Sequence, residues 1–178
     1  MGQDLRLSNV RIITGRLDAA NIHYASGGSG LLYSLGLSDH FRDWDITTDA
    51  PFEVIADALQ GIPWTDSPSG DYPFASSYRI SIPHDTLPID LFGGFAIHTE
   101  SGVCRLHSYS TTVWEQIRMG SPLVWAIAYS LMNRQDKALK LFDYLREHGA
   151  DREQLQRLLE EPLPEVLRSK LLALSSST

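Results

Sequence analysis

The sequence predicts an α/β (α+β) protein, with strand and helix tracts alternating over residues 1–108 and a C-terminal helical segment over residues 109–178. Three observations predict it. Hydrophobic residues fill 43% of the 178 positions and charged residues 21%, a balance that builds a core and excludes a disordered chain. Apolar spacing switches repeatedly between the helical and the strand period up to about Ser108. Beyond that point the spacing is helical. The length fits one domain, or one domain with an appendage, so residues 1–108 are expected as the main domain and 109–178 as a helical subdomain.

Each element has its own signal. Leu7, Val10, Ile13 and Leu17 line one face of a first helix, weakened by Gly15. Ile22–Ala25 reads as a short strand, Ser26–Gly30 as a glycine turn, and Leu31–Leu35 as a short helix closed by Gly36. Phe41–Asp49, rich in aromatic and β-forming residues, reads as a strand. Asp49 is placed to cap the next helix, with Pro51 in its first turn, Phe52, Ile55, Ala56 and Leu59 on its buried face, and Gly61 at its end. Strands are then expected at Phe74–Ile82, Pro88–Phe92 and Val103–His107, with a loop at Ser67–Asp71 and a hairpin turn at Glu100–Gly102. Ser121-Pro122 opens a helix that is apolar on every side through Ala128, hence buried. Gln135–His148 is amphipathic and stops at Gly149. Asp151 with Gln154 forms a capping-box-like start for a further helix. Pro164 begins the last one, and Ser175–Thr178 reads as a frayed tail.

Charge and composition narrow the function classes. Fifteen basic residues stand against 22 acidic ones, for a formal charge of −7, and only three of the basic residues are lysines. Extended nucleic acid is therefore not an expected partner, since such affinity comes largely from neutralising phosphates. A small nucleotide, whose charge a metal can carry, stays open. The lone cysteine, Cys104, excludes an internal disulfide and a multi-cysteine zinc site. The first residues carry no signal segment or myristoylation pattern. No apolar run approaches the roughly 18 residues of a membrane span. A cytoplasmic location without membrane attachment is expected.

Two features point to chemistry: the glycine turn after the first strand, and the pair Asp43 and Asp45. Alternation along a strand puts both carboxylates on one face, with Trp44 and Ile46 on the other. Adjacent carboxylates repel unless a cation sits between them. Hard oxygen donors on a rigid strand suit Mg²⁺, which typically takes one or two carboxylates and completes its shell with water and phosphate oxygens. An acid-x-acid triplet alone is common; its context is what makes it informative.

Gly27-Gly28-Ser29, a short helix ending at Leu35-Gly36, then Arg42-Asp43-Trp44-Asp45-Ile46-Thr47-Thr48-Asp49-Ala50-Pro51 resembles the head of the nucleotidyltransferase superfamily. That superfamily shares the palm of DNA polymerase beta with tRNA CCA-adding enzymes and small antibiotic and toxin nucleotidyltransferases. The Asp-Ile-Thr-Thr-Asp-Ala-Pro ending is similar to the CCA-adding group, and the short length to the stand-alone enzymes. The resemblance covers about residues 17 to 60. It implies a mixed β-sheet with helices packed on it. It also implies a third carboxylate on a later, apolar strand, which Asp90 in Pro88-Ile89-Asp90-Leu91-Phe92 fits better than Asp85 beside Pro83 and His84. By resemblance, Asp43, Asp45 and Asp90 are the catalytic and metal-binding residues. Two Mg²⁺ ions, or Mn²⁺, would accompany the nucleoside triphosphate, and Gly27, Gly28 and Ser29 would bind its phosphates. The reaction implied is transfer of a nucleoside monophosphate to a hydroxyl of a small molecule, a protein or an RNA end, with release of pyrophosphate.

The chain also departs from those relatives. Gly30-Leu31-Leu32 stands where CCA-adding enzymes continue with Val-Arg-Asp, and no tRNA-reading tail domain is expected within these 178 residues, so that specific activity is not carried over. Arg134-Gln135-Asp136-Lys137, with Asp143, looks like a scrambled form of a segment found in small nucleotidyltransferases, and Lys137 and Lys140 read as solvated. His98, Cys104 and His107 read as ordinary strand residues rather than a metal cluster. Trp64 and Tyr72 read as half-buried aromatics, with base stacking as the alternative. Neither a nucleophile elbow nor a phosphate-loop lysine is present. A second function class follows from the departures: a catalytically inactive nucleotidyltransferase-fold protein acting as a binding or regulatory module, for example in a toxin–antitoxin pair.

Overall fold

The computed structural model describes residues 4–69 and 72–177. The first three residues, Gly70 and Asp71 of the expected loop, and Thr178 of the expected tail lie outside the described residues. The chain divides into two compact units.

The first unit comprises residues 1–69, 76–95 and 107–121 and carries a mixed seven-stranded sheet. A 3₁₀ turn, Leu5–Leu7, leads into α1 (Ser8–Ala19), whose Val10, Ile13 and Leu17 are buried as their spacing predicts. Gly15 lies on the open side, where an added Cβ meets nothing within 4 Å. Strand β1 spans Ala25–Gly27 and α2 spans Gly28–Ser34. The strand therefore starts later than expected, and the glycines lie at a direct strand-to-helix junction rather than in a separate turn. Ser26 and Gly27 pair with Ile46 and Asp45 across the sheet, which draws them into the ladder.

Strand β2 is Trp44–Thr48, shorter than the expected run, so Asp43 stands just ahead of it. Helix α3 is Phe52–Ala58, with Ile55 and Leu59 buried. Asp49 does not cap it: Pro51 holds the cap position, Thr48 Oγ1 accepts the Ala50 N–H at 3.1 Å, and Asp49 accepts the Ser108 N–H at 3.2 Å. Strand β3 (Thr65–Ser67) follows, then β4 (Tyr78–Ile82) and β5 (Ile89–Gly93). The order across the sheet places β4 and β5 on one side of β2, and β1 on the other. Strands β2 and β5 run parallel, while β4–β5, β3–β4 and β1–β2 are antiparallel. One face of these strands is apolar and buried, through Trp44, Ile46, Ile80, Ile82, Ile89 and Leu91.

The second unit comprises residues 70–75, 96–106 and 122–178. It holds the hairpin of β6 (Ala96–Thr99) and β7 (Gly102–Arg105), which turns where Glu100–Gly102 predicts. Cys104 is buried in it, and burial pushes its thiol up to about 12. Two further strands, β8 (Ser110–Trp114) and β9 (Ile117–Gly120), belong to the first unit and complete its sheet through a parallel pairing of β9 with β1. They correct the expectation that the chain is helical from Ser108 onward. Residues 110–120 include the β-formers Thr111, Thr112, Val113, Trp114 and Ile117 and pair as a hairpin, with Glu115 and Gln116 taking positive φ at its tip.

Helices then fill the second unit: α4 (Pro122–Leu131), α5 (Gln135–His148), α6 (Arg152–Leu159) and α7 (Glu165–Ser175). Helix α4 buries every residue from Leu123 to Tyr129. Asp151 caps α6 by accepting the Gln154 N–H at 2.9 Å. Of the stretch expected to be frayed, Ser175 ends α7 and Ser176 is its cap. No helix among the described residues is long and apolar enough to cross a membrane.

Candidate active site

Trp44 sets the geometry. It is fully buried, its indole N–H donates to Ser26 Oγ at 2.9 Å, and its ring stacks on Trp114 and meets Phe41 edge-on. Gly30 of α2 lies against that ring, where an added Cβ would come within 2.6 Å of it. With Trp44 committed to the core, the alternation of the strand turns Asp45 to the opposite face.

Asp45 pairs in register with Gly27 on β1 and with Asp90 on β5. Register partners share a face, so two carboxylates stand side by side on strands about 4.8 Å apart. The resemblance expected Asp90 to be the third carboxylate near the pair, and the strand register puts it next to Asp45. Asp85, its competitor, lies exposed in the preceding bend. Gly28 begins α2 at φ +60, and a Cβ there would sit 2.0 Å from Asp45 Oδ2. Only glycine lets the backbone approach this carboxylate so closely. The Ser29 hydroxyl lies 3.4 Å from Asp43 Oδ1, which links the glycine junction to the first aspartate.

Gly28→Ala is expected to destabilise the protein by more than Gly36→Ala does. Gly36 also has positive φ, +73, but an added Cβ there meets nothing within 4 Å. The shared backbone cost is on the order of 1–2 kcal/mol. The excess measured for Gly28→Ala in urea unfolding reports the contact with Asp45; equal losses would show that the carboxylate simply moves aside.

Asp90 is held on both oxygens. Arg79 donates from Nη2 to Oδ2 at 3.0 Å, and Ser81 Oγ donates to Oδ1 at 2.7 Å. Ser81 is the β4 register partner of Asp90, and Arg79 lies two residues earlier on the same face. Sequence reasoning missed both. The alternation Tyr78-Arg79-Ile80-Ser81-Ile82 does put them on one face, but nothing local tells which neighbouring strand that face meets.

Two carboxylates in register are a donor set that Mg²⁺ could use only with further oxygens from water or a ligand. Among the described residues, no three His, Cys, Asp or Glu side chains gather as ligands for one ion. Asp45 and Asp90 stand in register as two hard oxygen donors, with Gly28 against Asp45 and Asp43 just ahead of β2. Mg²⁺ in such a site draws most of its shell from water and phosphate oxygens.

The remaining candidates have partners of their own. Cys104 is buried in the β6–β7 hairpin, with His98 on β6, while His107 lies 3.7 Å from Asp49 in the other unit. Lys137 sits 5.4 Å from the Tyr129 ring centroid, and Asp143 pairs with Arg146, as helix-surface residues do. Trp64 is half-buried against Phe52, whereas Tyr72 is 80% exposed, stacked on His98, and not half-buried as expected. A cavity of about 410 Å³ lined by Asp49, Phe52, Asp66 and Tyr78 opens at the far end of β2 from Asp43. Burial, with Asp49 and Glu53 nearby, raises the Tyr78 phenol above its ordinary range.

The arrangement of this sheet and its helices has counterparts among solved structures. A candidate nucleotidyltransferase from Thermotoga maritima superposes with a TM-score of 0.54 at 19% identity, over 79% of this chain and 92% of that one. The antibiotic-resistance factor ANT(2'')-Ia, solved in solution, matches with a TM-score of 0.56 at 13% identity, over 99% of this chain and 96% of that one. A crystal structure of ANT(2'')-Ia with adenylyl-2''-tobramycin matches at 0.52 and 12% identity, over 96% and 98%. This is the nucleotidyltransferase fold. No family model and no curated protein sequence matches the chain. Within the nucleotidyltransferase fold, the mixed sheet and the helices on it agree with what the head motif implies.

Proposed function

We propose that the protein transfers a nucleoside monophosphate from a nucleoside triphosphate to a hydroxyl acceptor in the cytoplasm, with release of pyrophosphate. The reading rests on one observation above all: Asp45 lies in register with Asp90 while its carboxylate presses on Gly28 at the strand-to-helix junction. In this reading Asp43 and Asp45 would hold Mg²⁺ with the triphosphate, and Asp90 would join the ion that activates the attacking hydroxyl. The metal supplies charge neutralisation at the phosphates. The backbone of Gly27 and Gly28 and the Ser29 hydroxyl position the phosphate chain. The acceptor oxygen bonds to the α-phosphorus, the bond to the bridging oxygen breaks, and the hydroxyl proton leaves to a carboxylate or water. ANT(2'')-Ia, solved with adenylyl-2''-tobramycin, is a precedent for a small-molecule acceptor on this fold, and the net charge of −7 disfavours a long RNA.

The experiment is thermal unfolding against ATP, GTP, CTP and UTP, with and without Mg²⁺. A triphosphate at 100 times its dissociation constant stabilises the native state by about 2.7 kcal/mol. A Mg²⁺-dependent rise in midpoint for at least one nucleotide is the expected result; none with any of the four would overturn the reading.

The Arg79–Asp90 ion pair favours a second reading, a non-catalytic binding or regulatory protein such as a toxin–antitoxin component. A carboxylate already matched by a guanidinium is stable without a metal. That reading predicts no Mg²⁺-dependent shift and no effect of the aspartates on the activity of any partner complex.

A further inference from the structure

We infer that Arg79 is the built-in counterion of Asp90 beside Asp45, and that a divalent cation must displace its charge from Asp90 when the site loads. The inference rests on the reading of Asp43, Asp45 and Asp90 as cation ligands and deepens it.

Two carboxylates in lateral register on neighbouring strands destabilise the sheet by repulsion. The chain meets that cost from β4. Arg79 reaches Asp90 Oδ2, Ser81 takes Oδ1, and both carboxylate oxygens are engaged. The guanidinium is steadied by stacking, its Cζ lying 5.1 Å from the ring centroid of Phe92, the β5 register partner of Arg79. Arg79 and Asp90 are 30% and 25% exposed, so their attraction is only partly screened by solvent. A guanidinium keeps its charge at every accessible pH. An arriving cation therefore finds Asp90 already matched by a positive group and works against its field. Arg79 is a positioning residue: it acts through Asp90, holding the carboxylate in place and weakening cation binding there.

The test uses Mn²⁺ as the probe, with free Mn²⁺ followed by electron paramagnetic resonance in the full-length protein. Arg79→Met removes the charge and keeps a long apolar side chain over Phe92. It is expected to tighten Mn²⁺ binding by roughly tenfold. Arg79→Gln, neutral but still able to donate a hydrogen bond, covers the case in which the methionine variant does not fold, and is expected to tighten binding in the same direction. Arg79→Lys, which keeps the charge, should bind as the wild type does. Against an Asp90→Asn background, Arg79→Met should change nothing, because its effect passes through the carboxylate.

A second readout is independent of affinity. In EDTA, Arg79→Met should unfold at a lower temperature than wild type, and Mn²⁺ should close the gap. Mn²⁺ binding that is unchanged or weaker in both neutral variants, or a tightening that persists in Asp90→Asn, overturns the inference and leaves the reading of the aspartates standing. Failure of every variant and of the wild type to bind Mn²⁺ overturns both.

Discussion

Replacing Asp45 with asparagine is expected to reduce nucleotidyl transfer by on the order of 10³-fold while leaving the protein folded. The magnitude follows from what the residue is asked to do. Groups that stabilise charge developing in a transition state contribute about 10² to 10³ each, and a carboxylate that also holds a metal loses the ion's contribution with its own. Stability should move the other way. Asp45 and Asp90 are register partners on parallel strands, and opposed like charges cost roughly 0.2–1 kcal/mol. The measurement pairs α-labelled nucleotide transfer to a panel of hydroxyl acceptors with urea unfolding of the same preparations. Transfer undiminished in Asp45→Asn would remove Asp45 from the reaction, whatever happens to stability.

Trp44→Ala is expected to be the most damaging single substitution for the fold, at about 3–5 kcal/mol, the range for truncating a buried large aromatic. Three losses add up at this position. The indole is fully buried, it stacks on Trp114 with ring centroids 6.4 Å apart, and its N–H is the donor to buried Ser26. Trp44→Phe keeps a ring but strands the Ser26 hydroxyl, so it should cost less, near the roughly 1–3 kcal/mol of an unsatisfied buried group. The two variants together separate packing from hydrogen bonding. Because Trp44 is the residue between Asp43 and Asp45, the alanine variant should also bind nucleotide more weakly under conditions where it remains folded. A loss below about 1 kcal/mol for Trp44→Ala would mean the strand does not depend on this anchor.

The head of the domain was legible in the sequence because its information is local. Alternation from Trp44 places Asp45, the glycines mark the passage from strand to helix, and the apolar run around Asp90 marks a strand. The amphipathic tract Gln135–His148 and the Asp151 cap were equally readable, since each depends on residues within a turn or two. Other features depended on long-range pairing. β8 is mostly exposed and β3 is a three-residue edge strand, so neither shows apolar alternation. The strand before the glycine junction slipped by a few residues because Ser26 and Gly27 are poor strand formers that pair only because β2 lies beside them. Arg79 was invisible as a partner of Asp90 because their contact is set by the register of β4 on β5, which no local signal encodes.

The way the chain is threaded limits how this protein can be taken apart. It passes from one unit to the other after residues 69, 75, 95, 106 and 121. No single cut therefore yields an intact sheet on one fragment and an intact helical assembly on the other. A fragment ending at residue 121 would keep the carboxylates but strand the Ala96–Arg105 hairpin away from α4 and the helices of its own unit. Such architecture resists modular reuse: the two units must be inherited, expressed and engineered as one piece, and fusion or recombination points belong at the ends of the chain rather than at an internal seam.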